Sequence, residues 1–192
     1  AAGRRCPRKG ARKLGRRARM GNPAGRAAVN QQVLDPGEQK CIDDIAEHGC
    51  HILKVFDADG DQPNFAYSVG FPVGVGQPEV LVYGLKLDLM QSMINELYRQ
   101  CAAGLQMADG LKVENLIDGH ECILKFCNDR AAIEEHLGWA LWYHRSQRGK
   151  DVDHFYQIVW PGTVNGLYPW DKGVSQEVID AQPALYEGWT VQ

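Results

Sequence analysis

The sequence predicts an α+β fold, a single domain whose largely antiparallel sheet is packed by two or three helices. Three observations lead there. The chain has 192 residues, 44 % hydrophobic and 23 % charged, a balance that excludes a wholly disordered chain, collagen and a coiled coil. Its helical and strand patterns run α-β-β-β-α-β-α-β without internal repeats, the mark of an α+β layer architecture. The links between the early strands are too short for parallel crossovers. No apolar run exceeds Val80–Leu85, far below the length that spans a bilayer.

Asp35–Pro36–Gly37–Glu38 opens the first helix, with Asp35 at the N-cap, Pro36 at the first helical position and Glu38 completing a capping box. Cys41, Ile42, Ile45 and Ala46 then recur at helical spacing, and Gly49 stops the helix. A strand is expected from Cys50 to Phe56, turned back by Asp57–Ala58–Asp59–Gly60–Asp61. That turn lacks the glycine position and the distal Glu of a calcium loop, so it reads as a hairpin turn. Asn64–Phe71 alternates Phe65, Tyr67, Val69 and Phe71 with small or polar residues, predicting a half-buried strand. Pro72–Pro78 reads as a Gly-rich loop that opens no helix and so offers no phosphate cradle. Glu79–Leu85 forms the third strand. Met90, Met93, Ile94, Leu97 and Cys101 share one face of a helix over Leu87–Ala103, ended by Gly104. Further along come a strand near Glu121–Cys127, a helix capped by Asp129 with Gly149 past its end, and a strand over Val152–Trp160. Cys122 and Cys127, five apart on one strand, are expected on opposite faces, which argues against a shared metal or a disulfide between them.

The charge is unevenly placed. Nine of the 21 basic residues lie in 1–19, leaving twelve against all 24 acids in the rest of the chain. Residues 1–34 are expected to be a flexible leader, basic then small and polar, ahead of a single domain over 35–192. Residues 1–19 lack the apolar stretch of a secretory signal. They read first as an extension foreign to the working protein and second as an arm for nucleic acid. Reduced cysteines and a cytoplasmic setting complete this expectation.

Several residues carry chemistry. His48–Gly49–Cys50–His51 places two imidazoles and a thiol close together, making His48 and His51 weak candidates for a metal, although the helix-to-strand turn leaves their convergence open. His154 lies on an otherwise apolar strand face and His144 borders the Leu137/Leu141 stripe, where a buried imidazole is a candidate acid–base group. The tail from Trp160 to Asp171 is aromatic for a loop, so Trp160, Trp170 and Asp171 are candidates for the wall and lip of a ligand pocket.

Taken in order, Ile45–His51, Phe65–Phe71, Gly76–Leu85, Asn95, Trp160–Pro161 and Tyr168–Asp171 resemble the uncharacterised bacterial family catalogued as domain of unknown function 4262. The resemblance covers about residues 38–185. It implies a small, soluble, single-domain protein and adds Tyr67, Ser68, Glu79 and Trp170 as suspected site residues. Gln77 stands where the family commonly has His, and Gly162 where it commonly has Asp. Those departures put in doubt any metal or proton role that the positions carry in relatives. The expected function is binding, or acting on, a small molecule in a cleft lined by polar and aromatic residues. His48, Tyr67 and Glu79 are its candidate catalytic groups, and Ser68, Trp160, Trp170 and Asp171 its ligand contacts. No cofactor is assigned, and a flavin rests only on a loose likeness to split-barrel flavin reductases. The competing expectation is a protein-interaction module whose acidic surface meets a basic partner. No membrane is expected, and nucleic acid only through the leader.

Overall fold

The computed structural model describes residues 34–58, 60 and 62–188. The leader thus lies outside the described residues apart from Leu34, as do Asp59 and Asp61 of the hairpin turn. Among the described residues, no helix is long and apolar enough to cross a membrane.

A six-stranded sheet forms the middle layer. Its strands are β1 (His51–Val55), β2 (Phe65–Val69), β3 (Glu79–Tyr83), β4 (Lys112–Ile117), β5 (His120–Cys127) and β6 (Phe155–Val159). They lie in the order β1-β2-β3-β6-β5-β4, every pair antiparallel except β3–β6. The helices are α1 (Pro36–His48), α2 (Phe71–Gly74), α3 (Leu87–Ala102), α4 (Arg130–His136), α5 (Gly138–Arg148) and α6 (Gln176–Asp180). The domain is therefore α+β, with a mostly antiparallel sheet.

Two apolar clusters flank the sheet. In one, α3 lays Met90, Met93, Ile94, Leu97 and Cys101 against Ala66, Val80, Val82, Leu124 and Ile158. Burying those five α3 side chains contributes on the order of 10 kcal/mol before conformational entropy is set against it. In the other, Cys41 and Ile45 of α1 join Ile133 of α4 and Ala140, Leu141 and Tyr143 of α5 against Tyr67, Leu81, Tyr83 and Phe155. Both faces of β2 are thus covered, and its expected half-burial is corrected: Ala66 and Ser68 are fully buried. Cys122 and Cys127 fall in different clusters, as their parity required.

The capping box of α1 forms as read, Asp35 Oδ1 accepting from the Glu38 N–H at 2.8 Å and Glu38 Oε2 from the Asp35 N–H at 2.9 Å. Three local expectations are corrected. Gly70, at φ 103°, opens the four-residue α2 where a loop was expected. The helix expected from Asp129 to Gly149 breaks at Leu137, which ends α4 and caps α5. A glycine at the next position weakens helix continuity there, and the Tyr67 hydroxyl accepts the early Trp139 N–H of α5 at 3.2 Å. Strand β4 has no counterpart in the expected order. Its pairing with β5 shifts register between Val113 and Ile117, and Asn115 adopts φ 65°. That irregularity puts Val113, Leu116 and Ile117 out of strict alternation and hides the strand from a period-2 reading.

Candidate functional site

The strands β2 and β3 separate just past Tyr67↔Leu81, the last register pair of their ladder. Beyond it, Ser68 substitutes a side chain for the backbone, its Oγ accepting the Val80 N–H at 2.9 Å. The same hydroxyl donates to Glu79 Oε2 at 2.5 Å. Glu79 opens β3 with its side chain wholly buried. Its carboxylate also accepts the Gly70 N–H at 2.7 Å and the Phe71 N–H at 3.3 Å, the first amides of the turn into α2. The fourth partner comes from α5: His144 Nε2 lies 2.8 Å from Glu79 Oε1.

Four donors converging on one carboxylate answer the demand that a buried charge be hydrogen-bonded. An ionised carboxylate only accepts, so Nε2 of His144 carries the proton in this pair. Nδ1 is the remaining nitrogen, and among the described residues it has no hydrogen-bond partner. His144 is 5 % exposed. It lines, with Glu79, a cleft of about 360 Å³ whose walls are Pro72, Gly76, Gln77, Pro78 and the segment Lys150–His154. That volume suits a small molecule.

The segment over the cleft is pinned by arginines. Asp151 accepts from Arg145 Nε at 3.0 Å and Arg145 Nη2 at 3.1 Å. Arg130 Nη1 lies 3.1 Å from Asp151 Oδ2 and donates to the Val152 carbonyl at 3.1 Å. Gln77 is committed at both ends, donating to Gln106 Oε1 at 2.8 Å and accepting the Met107 N–H at 3.0 Å.

The other sequence candidates are dispersed. Tyr67 points to the α5 side of the sheet, and burial pushes its phenol up to about 12. Trp160 is buried in the α3 cluster, its Nε1–H donating to the Tyr83 carbonyl at 2.8 Å. Trp170 stacks on Tyr168 at 5.2 Å, and Lys125 Nζ sits 5.8 Å from its ring centre. Asp171 closes a turn by accepting the Tyr168 N–H at 2.8 Å. None of these four lines the cleft. The aromatic tail instead covers the domain's own sheet. His154 is half-exposed rather than buried, its Nδ1 2.7 Å from Asp153 Oδ1.

His48 and His51 border a different hollow, of about 480 Å³, with Asp44, Cys50, Asn95 and Tyr98. His51 Nδ1 donates to Asp44 Oδ2 at 2.7 Å, while the His48 side chain is 62 % exposed and 3.8 Å from Glu47. The bond from Lys40, and then that from His51, holds the Asp44 carboxyl below its ordinary value. Among the described residues, no three His, Cys, Asp or Glu side chains are grouped to hold a metal ion. Glu79, a residue the family resemblance points to, has His144 as its imidazole partner, and His48 lies in the other hollow. The signal for His144 was present: it continues the buried stripe of Leu137 and Leu141 at helical spacing.

A family model described as Domain of unknown function (DUF4262) matches residues 44–175. No curated protein and no solved structure matches the chain significantly.

Proposed function

The chain belongs to the DUF4262 family, whose description assigns no activity, and we propose that it binds a small molecule in the cleft over Glu79 and His144. The observation that carries this reading is the 2.8 Å contact between Glu79 Oε1 and His144 Nε2 at the cleft floor. A carboxylate held by four donors fixes the imidazole in one tautomer and orientation. Nδ1 is then the nitrogen that meets the ligand, as a hydrogen-bond acceptor or as a base. Were it to take a proton, the adjacent Glu79 carboxylate would stabilise the imidazolium, the role a buried carboxylate plays beside a catalytic histidine. Ser68, Glu79 and His144 form this unit; Tyr67 supports it from outside by holding the start of α5.

The test is a ligand-observed NMR screen of a small-fragment set against the full chain. It is repeated on His144→Gln and on Pro72→Trp, which places a large ring on an exposed position of the cleft wall. The reading expects fragments that bind the wild type and lose at least tenfold in affinity with both variants. Fragments that bind all three proteins alike, or none that bind at millimolar concentration, contradict it. The competing reading, a basic protein partner on the acidic body, predicts capture that weakens with salt and is indifferent to Pro72→Trp.

A further inference from the structure

Resting on that reading of the cleft, we propose that its ligand is a small organic anion, a carboxylate or a phosphate ester, whose charged end is held by Lys150. Lys150 lines the cleft, and its ammonium has no anionic partner among the described residues. The buried acceptors around it are already engaged. Glu79 takes four donors. Asp151, next in sequence, is turned to Arg145 and Arg130 and also accepts the Val152 N–H at 3.0 Å. Asp153 reaches His154 through Oδ1 alone and its side chain is 88 % exposed, while both ends of the Gln77 amide are satisfied within the fold.

What the wall leaves open is therefore one ammonium, two ring nitrogens (His144 Nδ1 and His154 Nε2) and the solvent-facing Oδ2 of Asp153. A ligand that satisfies an ammonium best is anionic. Pro72, Pro78 and Val152 supply apolar surface for an organic body, and about 360 Å³ limits its size. The twelve-charge acidic excess of the body disfavours anions at long range, but at physiological ionic strength such fields are screened beyond about 8 Å. Contacts inside the cleft are then what decide.

The experiment titrates the full chain with matched pairs at physiological ionic strength: benzoate against benzamide, and phenyl phosphate against phenol, with inorganic phosphate alone as a further arm. The proposal expects an acid to bind at least tenfold more tightly than its neutral counterpart. It further expects Lys150→Gln to remove most of that preference, with Lys172→Gln, which does not line the cleft, leaving it intact. Whichever acid is preferred, carboxylate or phosphate, identifies the ligand class. Acids that bind no better than their neutral partners, or whose advantage survives Lys150→Gln, overturn the proposal. If the neutral compounds bind and Pro72→Trp displaces them, the anion proposal fails while the binding cleft stands; if nothing binds, both fail.

Discussion

Replacing Glu79 with Gln removes a charge and one acceptor from a place where every acceptor position is in use. The best fit keeps the amide oxygen where Oε1 stands, still facing the Gly70 N–H and His144 Nε2, both within 2.8 Å. The amide nitrogen then faces the Ser68 hydroxyl and the Phe71 N–H. The hydroxyl can rotate to accept, but the Phe71 N–H meets another donor and is left unpaired. A buried, unsatisfied N–H costs about 1–3 kcal/mol, and hydrogen bonds to a charged acceptor are worth roughly 1 kcal/mol more than neutral ones. Relief from burying a charge offsets part of this. The net expectation is a loss of about 2–3 kcal/mol. Urea unfolding followed by tryptophan fluorescence at pH 7 reads it directly. With a slope near 2 kcal/mol/M, the midpoint falls by roughly 1–1.5 M while the slope itself stays unchanged. A midpoint within about 0.2 M of wild type refutes the reasoning, because the four donors would then not depend on the carboxylate.

Other consequences are smaller and independent. Tyr67→Phe removes the acceptor of the Trp139 N–H and is expected to cost about 1 kcal/mol in the same assay; a midpoint equal to wild type would count against that bond. Burial pushes the thiols of Cys41, Cys50, Cys122 and Cys127 up to about 12 and that of Cys101 to about 11. Iodoacetamide at pH 8 should therefore leave all five unlabelled in the native protein and label them in urea, as read by peptide mass spectrometry. Rapid native labelling at any one would contradict the burial of that thiol. The Asp44 carboxyl is depressed in the folded state, so its contribution is present above the unfolded carboxyl value and fades as pH falls through the folded one. Asp44→Asn should flatten the loss of stability below about pH 4, by under about 1 kcal/mol because solvent reaches the pair. An acid limb identical to wild type would count against the Lys40–Asp44–His51 contacts.

What the chain discloses by itself divides along a physical line. Features made by neighbours in sequence are legible: Asp35 and Glu38 cap α1, Gly49 ends it at φ 86°, and five residues of α3 mark its buried face. Features made by an exception to a period are not. Asn115 breaks the alternation of β4, and the pause at Leu137–Gly138 divides what spacing alone renders as one helix. The site divides the same way. Ser68 and Glu79 come from the family resemblance, since the period-2 pattern puts Ser68 on the small, polar face of its strand and leaves Glu79 at a strand opening. Their convergence with His144, 65 residues beyond Glu79, depends on α5 crossing the sheet above the end of β3. No local pattern encodes that crossing. The aromatic tail misled for the converse reason. Trp160 and Trp170 have the composition of a ligand wall, yet Gln157 and Gln182 tie the chain that follows them onto β6 through Pro183, Leu185 and Trp160.

The central claim is that a ligand in the cleft meets Nδ1 of a His144 whose Nε2 stays bonded to Glu79. Long-range proton–nitrogen NMR correlation of the histidine side chains, with and without a bound fragment, tests it most directly. The account predicts that binding moves the Nδ1 resonance of His144 while Nε2 remains protonated, with His48 and His51 unmoved. A His144 imidazole unchanged at saturation, or shifts confined to His48 and His51, would contradict it.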